Sequence, residues 1–99
     1  MPDKNQILEF IAQNREIFSK EYHIKKIGLF GSYARDEATA TSDIDLVVEF
    51  EKNTENIHAL KMEITEIFKK QFHTNVDIAS EKYIKPRVKK RILEESIFV

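Results

Sequence analysis

Three aspartates and a glycine–serine pair are the residues whose types and spacing can do chemistry in this chain. Asp43 and Asp45 stand two positions apart, Asp77 follows 32 positions after Asp45, and ten residues separate Ser32 of the Gly31-Ser32 pair from Asp43. Residues two apart on a strand project from one face, so Asp43 and Asp45 point the same way. Two carboxylates about 4–5 Å apart repel by roughly 3–4 kcal/mol at an effective dielectric of about 20. A protein tolerates this when one is protonated or a cation lies between them. Magnesium takes few carboxylates and completes its shell with water and phosphate oxygens. With Asp77 on another short strand, facing the same way, three carboxylates can hold two ions about 3.5–4 Å apart. One ion activates an attacking hydroxyl and the other stabilises a triphosphate and its departing pyrophosphate.

Gly31 and Ser32 supply the phosphate end. A residue without Cβ lets the backbone approach a ligand closely. Ser32 adds an N–H and a hydroxyl, and a short helix starting near Tyr33 and running to about Ala38 adds further N–H groups and a favourable dipole. Arg35 falls on its first turn, where a guanidinium reaches a phosphate or locks the loop through Asp36 or Glu37.

The elements that must position these residues follow from periodicity. Asp3 to about Lys20 reads as one amphipathic helix with Asp3 as N-cap and a stripe of Ile7, Leu8, Ile11 and Phe18, widened by Phe10 and Ile17. Ile24–Phe30 is β-rich. Residues 38–42 are a polar loop. In 44–50, Ile44, Leu46, Val48 and Phe50 alternate with Asp45, Val47 and Glu49, so the even set belongs under helices and the aspartates project from the other face. Ile57, Leu60, Ile64, Ile67 and Phe68 mark a second long helix ending near Phe72. His73–Asn75 is a turn, and Val76-Asp77-Ile78-Ala79 a short strand. Ser80 is a candidate cap. Pro86 opens a last helix through Val88, Ile92 and Leu93 and on to Ile97. The order is αβαβαβα. The fold class expected is α/β (α+β), a small mixed sheet of three to four strands with helices on one face, and residues 1–99 forming a single domain.

Ninety-nine residues, 41% of them hydrophobic and 33% charged, fit one small globular domain with a modest core. No run approaches the about 20 apolar residues that span a bilayer, and the N-terminus has no apolar signal core, so the expected location is cytoplasmic, with no membrane partner. The absence of cysteine excludes disulfides and thiol chemistry. A net charge of −1 gives no global footprint for nucleic acid, so no direct nucleic-acid binding is expected.

The pattern Gly31-Ser32-Tyr33-Ala34-Arg35, then Ser42-Asp43-Ile44-Asp45-Leu46, then Val76-Asp77-Ile78, resembles the minimal nucleotidyltransferases of the DNA polymerase β-like superfamily over essentially the whole chain. The resemblance implies Asp43 and Asp45 as Mg²⁺ ligands and Asp77 as a shared ligand and base for the acceptor hydroxyl. It implies that Gly31 and Ser32 bind the triphosphate of ATP, and Arg35 matches the arginine that follows Gly-Ser-x-Ala. Asp36 stands where many members carry glycine, adding a negative charge beside that turn. Such proteins resemble the antitoxin half of HEPN/MNT toxin–antitoxin pairs, which implies transfer of AMP to a tyrosine of a HEPN ribonuclease partner. A chain of 99 residues leaves no second domain to wall a pocket for a small acceptor, and an acceptor protein would supply that wall. The alternatives are a binding-only antitoxin and a small-molecule nucleotidyltransferase; a homo-oligomer is compatible with each.

Other features read more simply. Lys85, Arg87, Lys89, Lys90 and Arg91 form a basic cluster whose usual meaning is a solvated helix face. Tyr33 is expected to pack rather than stack on a base. His23, His58 and His73 lack metal-ligand spacing and are read as surface residues.

Overall fold

The computed structural model describes residues 1–99. In chain order the elements are α1 (Lys4–Gln13), α2 (Arg15–Tyr22), β1 (Ile24–Phe30), α3 (Gly31–Ala34), β2 (Ile44–Phe50), α4 (Ile57–Phe72), β3 (Val76–Ser80), a 3₁₀ turn (Glu81–Tyr83), α5 (Pro86–Glu95) and β4 (Ile97–Phe98). The sheet is mixed, in the order β3-β2-β1-β4. β1 pairs antiparallel with β2 and β4, and β2 pairs parallel with β3. A parallel pair needs a long crossover, and α4 provides it.

The alternation in β2 does what its period demands. Ile44, Leu46 and Val48 are fully buried on one face, joined there by Ile27, Leu29 and Ile78 of the neighbouring strands. Ile7 and Ile11 of α1, Phe18 of α2, and Ile64 and Phe68 of α4 cover this face. Phe68 is its aromatic hub, stacked on Phe18 with centroids 5.8 Å apart and edge-on to Phe10 at 5.3 Å.

The first helix is two helices. Asp3 caps α1 as expected, accepting from Gln6 N at 2.8 Å while Gln6 Oε1 accepts from Asp3 N at 3.0 Å. Asn14 then interrupts the run: its side-chain amide donates to Phe10 O at 2.9 Å and so competes for a helical carbonyl. Ile11 and Phe18 are seven residues apart, so the apolar stripe reads as continuous across the break. Ile17, expected to widen it, is exposed. Ser80 ends β3 and is buried but makes no side-chain cap bond. Pro86 does open α5. Ile97 leaves that helix to join Phe98 in a fourth strand against Gly28 and Leu29, where the Phe98 ring lies over the Gly28 position that any Cβ would crowd.

Helices are not confined to one face. Val47 is completely buried yet lies outside the main core, and none of Val88, Ile92 or Leu93 packs against that core. α5 therefore lies over the second face, against β1 and α3, with no fully buried residue of its own. Phe68→Ala should destabilise the protein by about 3–5 kcal/mol, whereas Ile17→Ala at its exposed site should change stability by less than about 0.5 kcal/mol. Urea midpoints with unchanged slopes check both values.

Candidate active site at the carboxylate edge

The site residues gather where β1 ends and β2 and β3 begin. Phe30 is extended, and Gly31 turns the chain with φ +77°, a conformation that side chains rarely adopt. A Cβ on Gly31 would also collide with Asp45 Oδ2. Glycine is thus required twice, by its own backbone angle and by the aspartate packed against it. α3 spans Gly31–Ala34, earlier and shorter than the expected 33–38 helix, so Gly31 and Ser32 are its first residues. The N–H groups of a first helical turn have no acceptor within the helix and face outward to whatever binds there. Tyr33, 3% exposed, anchors the turn in the core and is unavailable for stacking on a base.

Asp36 takes a backbone angle that glycine adopts most readily. Its φ is +59°, in the left-handed region that aspartate tolerates better than most residues. Its carboxylate faces out to Lys4 Nζ at 2.9 Å. Glu37 N closes the turn by donating to Ser32 O at 2.9 Å. Arg35 is held by Glu37 Oε2 at 3.1 Å and by Glu95 Oε2 of α5 at 3.4 Å.

The loop before β2 is tied by its hydroxyls. Thr39 N donates to Ser42 Oγ at 2.8 Å, and Ser42 N donates to Thr39 O at 3.0 Å. Asp43 lies just outside β2, exposed, at the end of this tied loop. Asp45 is half-buried and pairs across the sheet with Phe30 on one side and Asp77 on the other. Neighbouring strands lie about 4.8 Å apart, so Asp45 and Asp77 stand side by side on one face. Asp77 is exposed and lines a groove of about 620 Å³ between α4 and β3, the edge strand.

The crowding has an electrostatic signature. Burial, then the charge of Asp77, then that of Asp43 raise the Asp45 carboxyl to about 6, while Arg35 works in the opposite direction. The structure thus brings Asp43, Asp45 and Asp77 within electrostatic range of one another, beside Gly31, Ser32 and Arg35. As the side chains stand, no three of them close into a metal-binding cage. All three histidines are exposed, and His23 and His73 close α2 and α4 in left-handed conformation. The residues that sequence reasoning missed are supports: Lys4 on Asp36, Glu95 on Arg35, and the Thr39–Ser42 tie. The Thr39-Ala40-Thr41-Ser42 run could have signalled the tie; nothing local signals the two long-range ion pairs.

The sequence model of a nucleotidyltransferase domain matches residues 11–99. The chain belongs to the nucleotidyltransferase family. It is 39% identical over 100 residues to "Putative protein adenylyltransferase MJ1379" of Methanocaldococcus jannaschii, covering 100% of both chains. A solved "minimal nucleotidyltransferase" structure superposes with a TM-score of 0.81 at 26% identity, over 97% of this chain and 95% of that one. The fold is also shared, at 19% identity and a TM-score of 0.58, with a chain in the structure of a tri-AMPylated Shewanella oneidensis HEPN toxin in complex with MNT antitoxin; the match covers 96% of this chain and 67% of that one. This minimal nucleotidyltransferase has no helix long and apolar enough to cross a membrane.

The Asp45 shift fixes a pH dependence. Its folded value of about 6 lies above the ordinary 3.8, so the native state holds a proton that the unfolded state releases between those values. Stability from this group is complete below pH 3.8 and is lost as pH rises through 6. Without divalent cations, Asp45→Asn should therefore be more stable than wild type at pH 7, and the advantage should shrink towards zero below about pH 4. Urea unfolding of both proteins across this range checks the sign.

Proposed function

We propose that the chain transfers AMP from ATP to a hydroxyl of a partner protein, with a tyrosine of a HEPN-type toxin as the acceptor that best fits its relatives. The observation that carries this reading is the order of groups along one sheet edge: Gly31-Ser32 at the end of β1, Asp45 on β2, Asp77 on β3. The first-turn N–H groups and the Ser32 hydroxyl hold the triphosphate, and Arg35, already between two carboxylates, offers its guanidinium to the same anion. The acceptor must approach from the opposite flank, where Asp77 lines an open groove at the free edge of the sheet. A surface groove suits a hydroxyl presented by another protein. The protein adenylyltransferase name of the Methanocaldococcus relative and the AMPylated toxin beside an MNT antitoxin support the same acceptor class.

The residues present fit magnesium. Burial and two like charges make Asp45 reluctant to ionise, and a divalent cation reverses that balance. Asp43, Asp45 and Asp77 would hold it, and when bound it would neutralise charge on the triphosphate and acidify the acceptor hydroxyl. The acceptor oxygen forms a bond to the α-phosphorus as the bond to pyrophosphate breaks. The hydroxyl proton passes to Asp77, which is exposed and able to release it to water.

Incubated with labelled ATP, magnesium and the protein encoded by the adjacent gene, the wild-type chain should label that protein. Asp43→Asn or Asp45→Asn should lower labelling by about a hundredfold or more, the scale of losing one group that stabilises transition-state charge. Full labelling by either variant would remove the carboxylates from the reaction. If Asp45→Asn neutralises a co-expressed toxin as well as wild type, complex formation alone suffices.

A further inference from the structure

Residues 82–91 carry six cations, Lys82, Lys85, Arg87, Lys89, Lys90 and Arg91, and no carboxylate. The whole chain has 16 Lys and Arg against 17 Asp and Glu, so the other 89 residues hold ten cations and 17 carboxylates, a net −7. A near-neutral protein is thus strongly polarised. Lys89 reaches Glu81 at 3.9 Å and Lys90 reaches Glu94 at 4.0 Å, while no carboxylate pairs with Lys82, Lys85, Arg87 or Arg91.

These charges work against the helix that bears them. The first turn of α5 holds no acidic residue and its last turn no basic one, so cations crowd the positive end of its dipole and Glu94 and Glu95 the negative end. Lys85 with Lys89, and Arg87 with Arg91, add like-charge contacts one turn apart. Val88, Ile92 and Leu93 are only partly buried, and they turn the helix's apolar side to the sheet, leaving the unpaired cations outward. Beside them Tyr83 is 69% exposed, with Lys82 Nζ 5.8 Å from its ring. Tyr83, Arg87 and Arg91 are of the residue types enriched at protein-binding surfaces.

We propose that the Lys82–Arg91 face is the docking surface for an acidic patch on the protein that receives the nucleotidyl group. This rests on the transfer reading above for the identity of the partner. A long nucleic acid would run off this short patch onto a surface of net −7, which repels it; a compact acidic patch on a protein does not. The location suits delivery. α5 starts beside Glu81, which directly follows β3, the edge strand that carries Asp77, so a partner seated along its about 15 Å length can reach over β3 to the acceptor flank.

Two charge reversals test this surface, Arg87→Glu/Arg91→Glu on α5 and Lys82→Glu/Lys85→Glu just before it. Calorimetric titration of the purified chain with the adjacent-gene protein, without nucleotide, should show binding that weakens as NaCl rises from about 50 to about 300 mM, as screening shortens the reach of the charges. Each reversal should raise Kd by about tenfold or more, with ATP affinity and circular dichroism unchanged. Wild-type affinity in both reversed proteins overturns the proposal, as does the absence of any wild-type complex. A labelled RNA hairpin bound by wild type and lost on reversal would make this a nucleic-acid surface; a wild-type dimer dissolved by reversal would make it a contact between copies. Either result overturns it. Because binding is read apart from transfer, a complex that forms through the patch but transfers nothing sinks the transfer reading alone, and transfer at the wild-type kcat/KM in both reversed proteins sinks the docking surface alone.

Discussion

The contact on which the site depends is that of the Asp45 carboxylate with the Cα of Gly31. A half-buried carboxylate with two aspartates in range is an unfavourable place for negative charge, and its carboxyl rises to about 6 accordingly. That penalty falls on the strand that also carries the deepest core. Ile44, Leu46 and Val48 are buried on one face of β2 while Asp45 stands on the other. A shift of one residue in register would exchange the two sets, placing the aspartate in the core and the apolar side chains at the site. The burial of three large side chains therefore secures the registration of one strained carboxylate.

The two faces of the sheet are unequally built. The main face is sealed by α1, α2 and α4 around Phe68, with five aromatic rings in mutual contact. The second face is covered by α5, which buries none of its residues completely. Elements with few buried contacts open at lower free energy than the rest of a fold. Arg35 bridges these regions: its backbone belongs to the turn fixed by Tyr33, while Glu95 holds its guanidinium from α5. Movement of α5 would reach the Gly31-Ser32 turn through that ion pair.

Much of this was legible because it is periodic or tightly spaced. Alternation in β2, the apolar stripe of α4 and the Pro86 helix start are local signals, and the ordered set Gly31-Ser32, Asp43, Asp45 and Asp77 carries its family with it. What escaped depends on competition or on distance. Asn14 breaks a helix through its own side chain while the stripe continues in phase on the far side. The left-handed angle at Asp36, one that glycine adopts most readily, is invisible until the turn is built. β4 is two residues long and exists because Gly28 leaves room for Phe98. The pairs of Lys4 with Asp36 and Arg35 with Glu95 span 32 and 60 positions, and no local pattern predicts them.

The topology also decides which residues meet at the site. β1 and β2 are antiparallel, so the end of β1 meets the start of β2 and the Gly31-Ser32 turn abuts Asp45. β2 and β3 are parallel, so the start of β3 falls at that same edge and Asp77 becomes the neighbour of Asp45. Had β3 followed β2 through a hairpin, its second residue would lie at the opposite end of the sheet, and no third carboxylate would reach the site. The α4 crossover is thus the element that assembles the aspartates, although it contributes none of them. Because β3 is also the edge strand, Asp77 separates the occupied flank from the open one: turn and Arg35 on one side, groove and solvent on the other. In the proposed transfer, a donor held at the β1 turn and an acceptor entering over β3 would meet across Asp45 without crossing, an arrangement that one antiparallel and one parallel pairing allow.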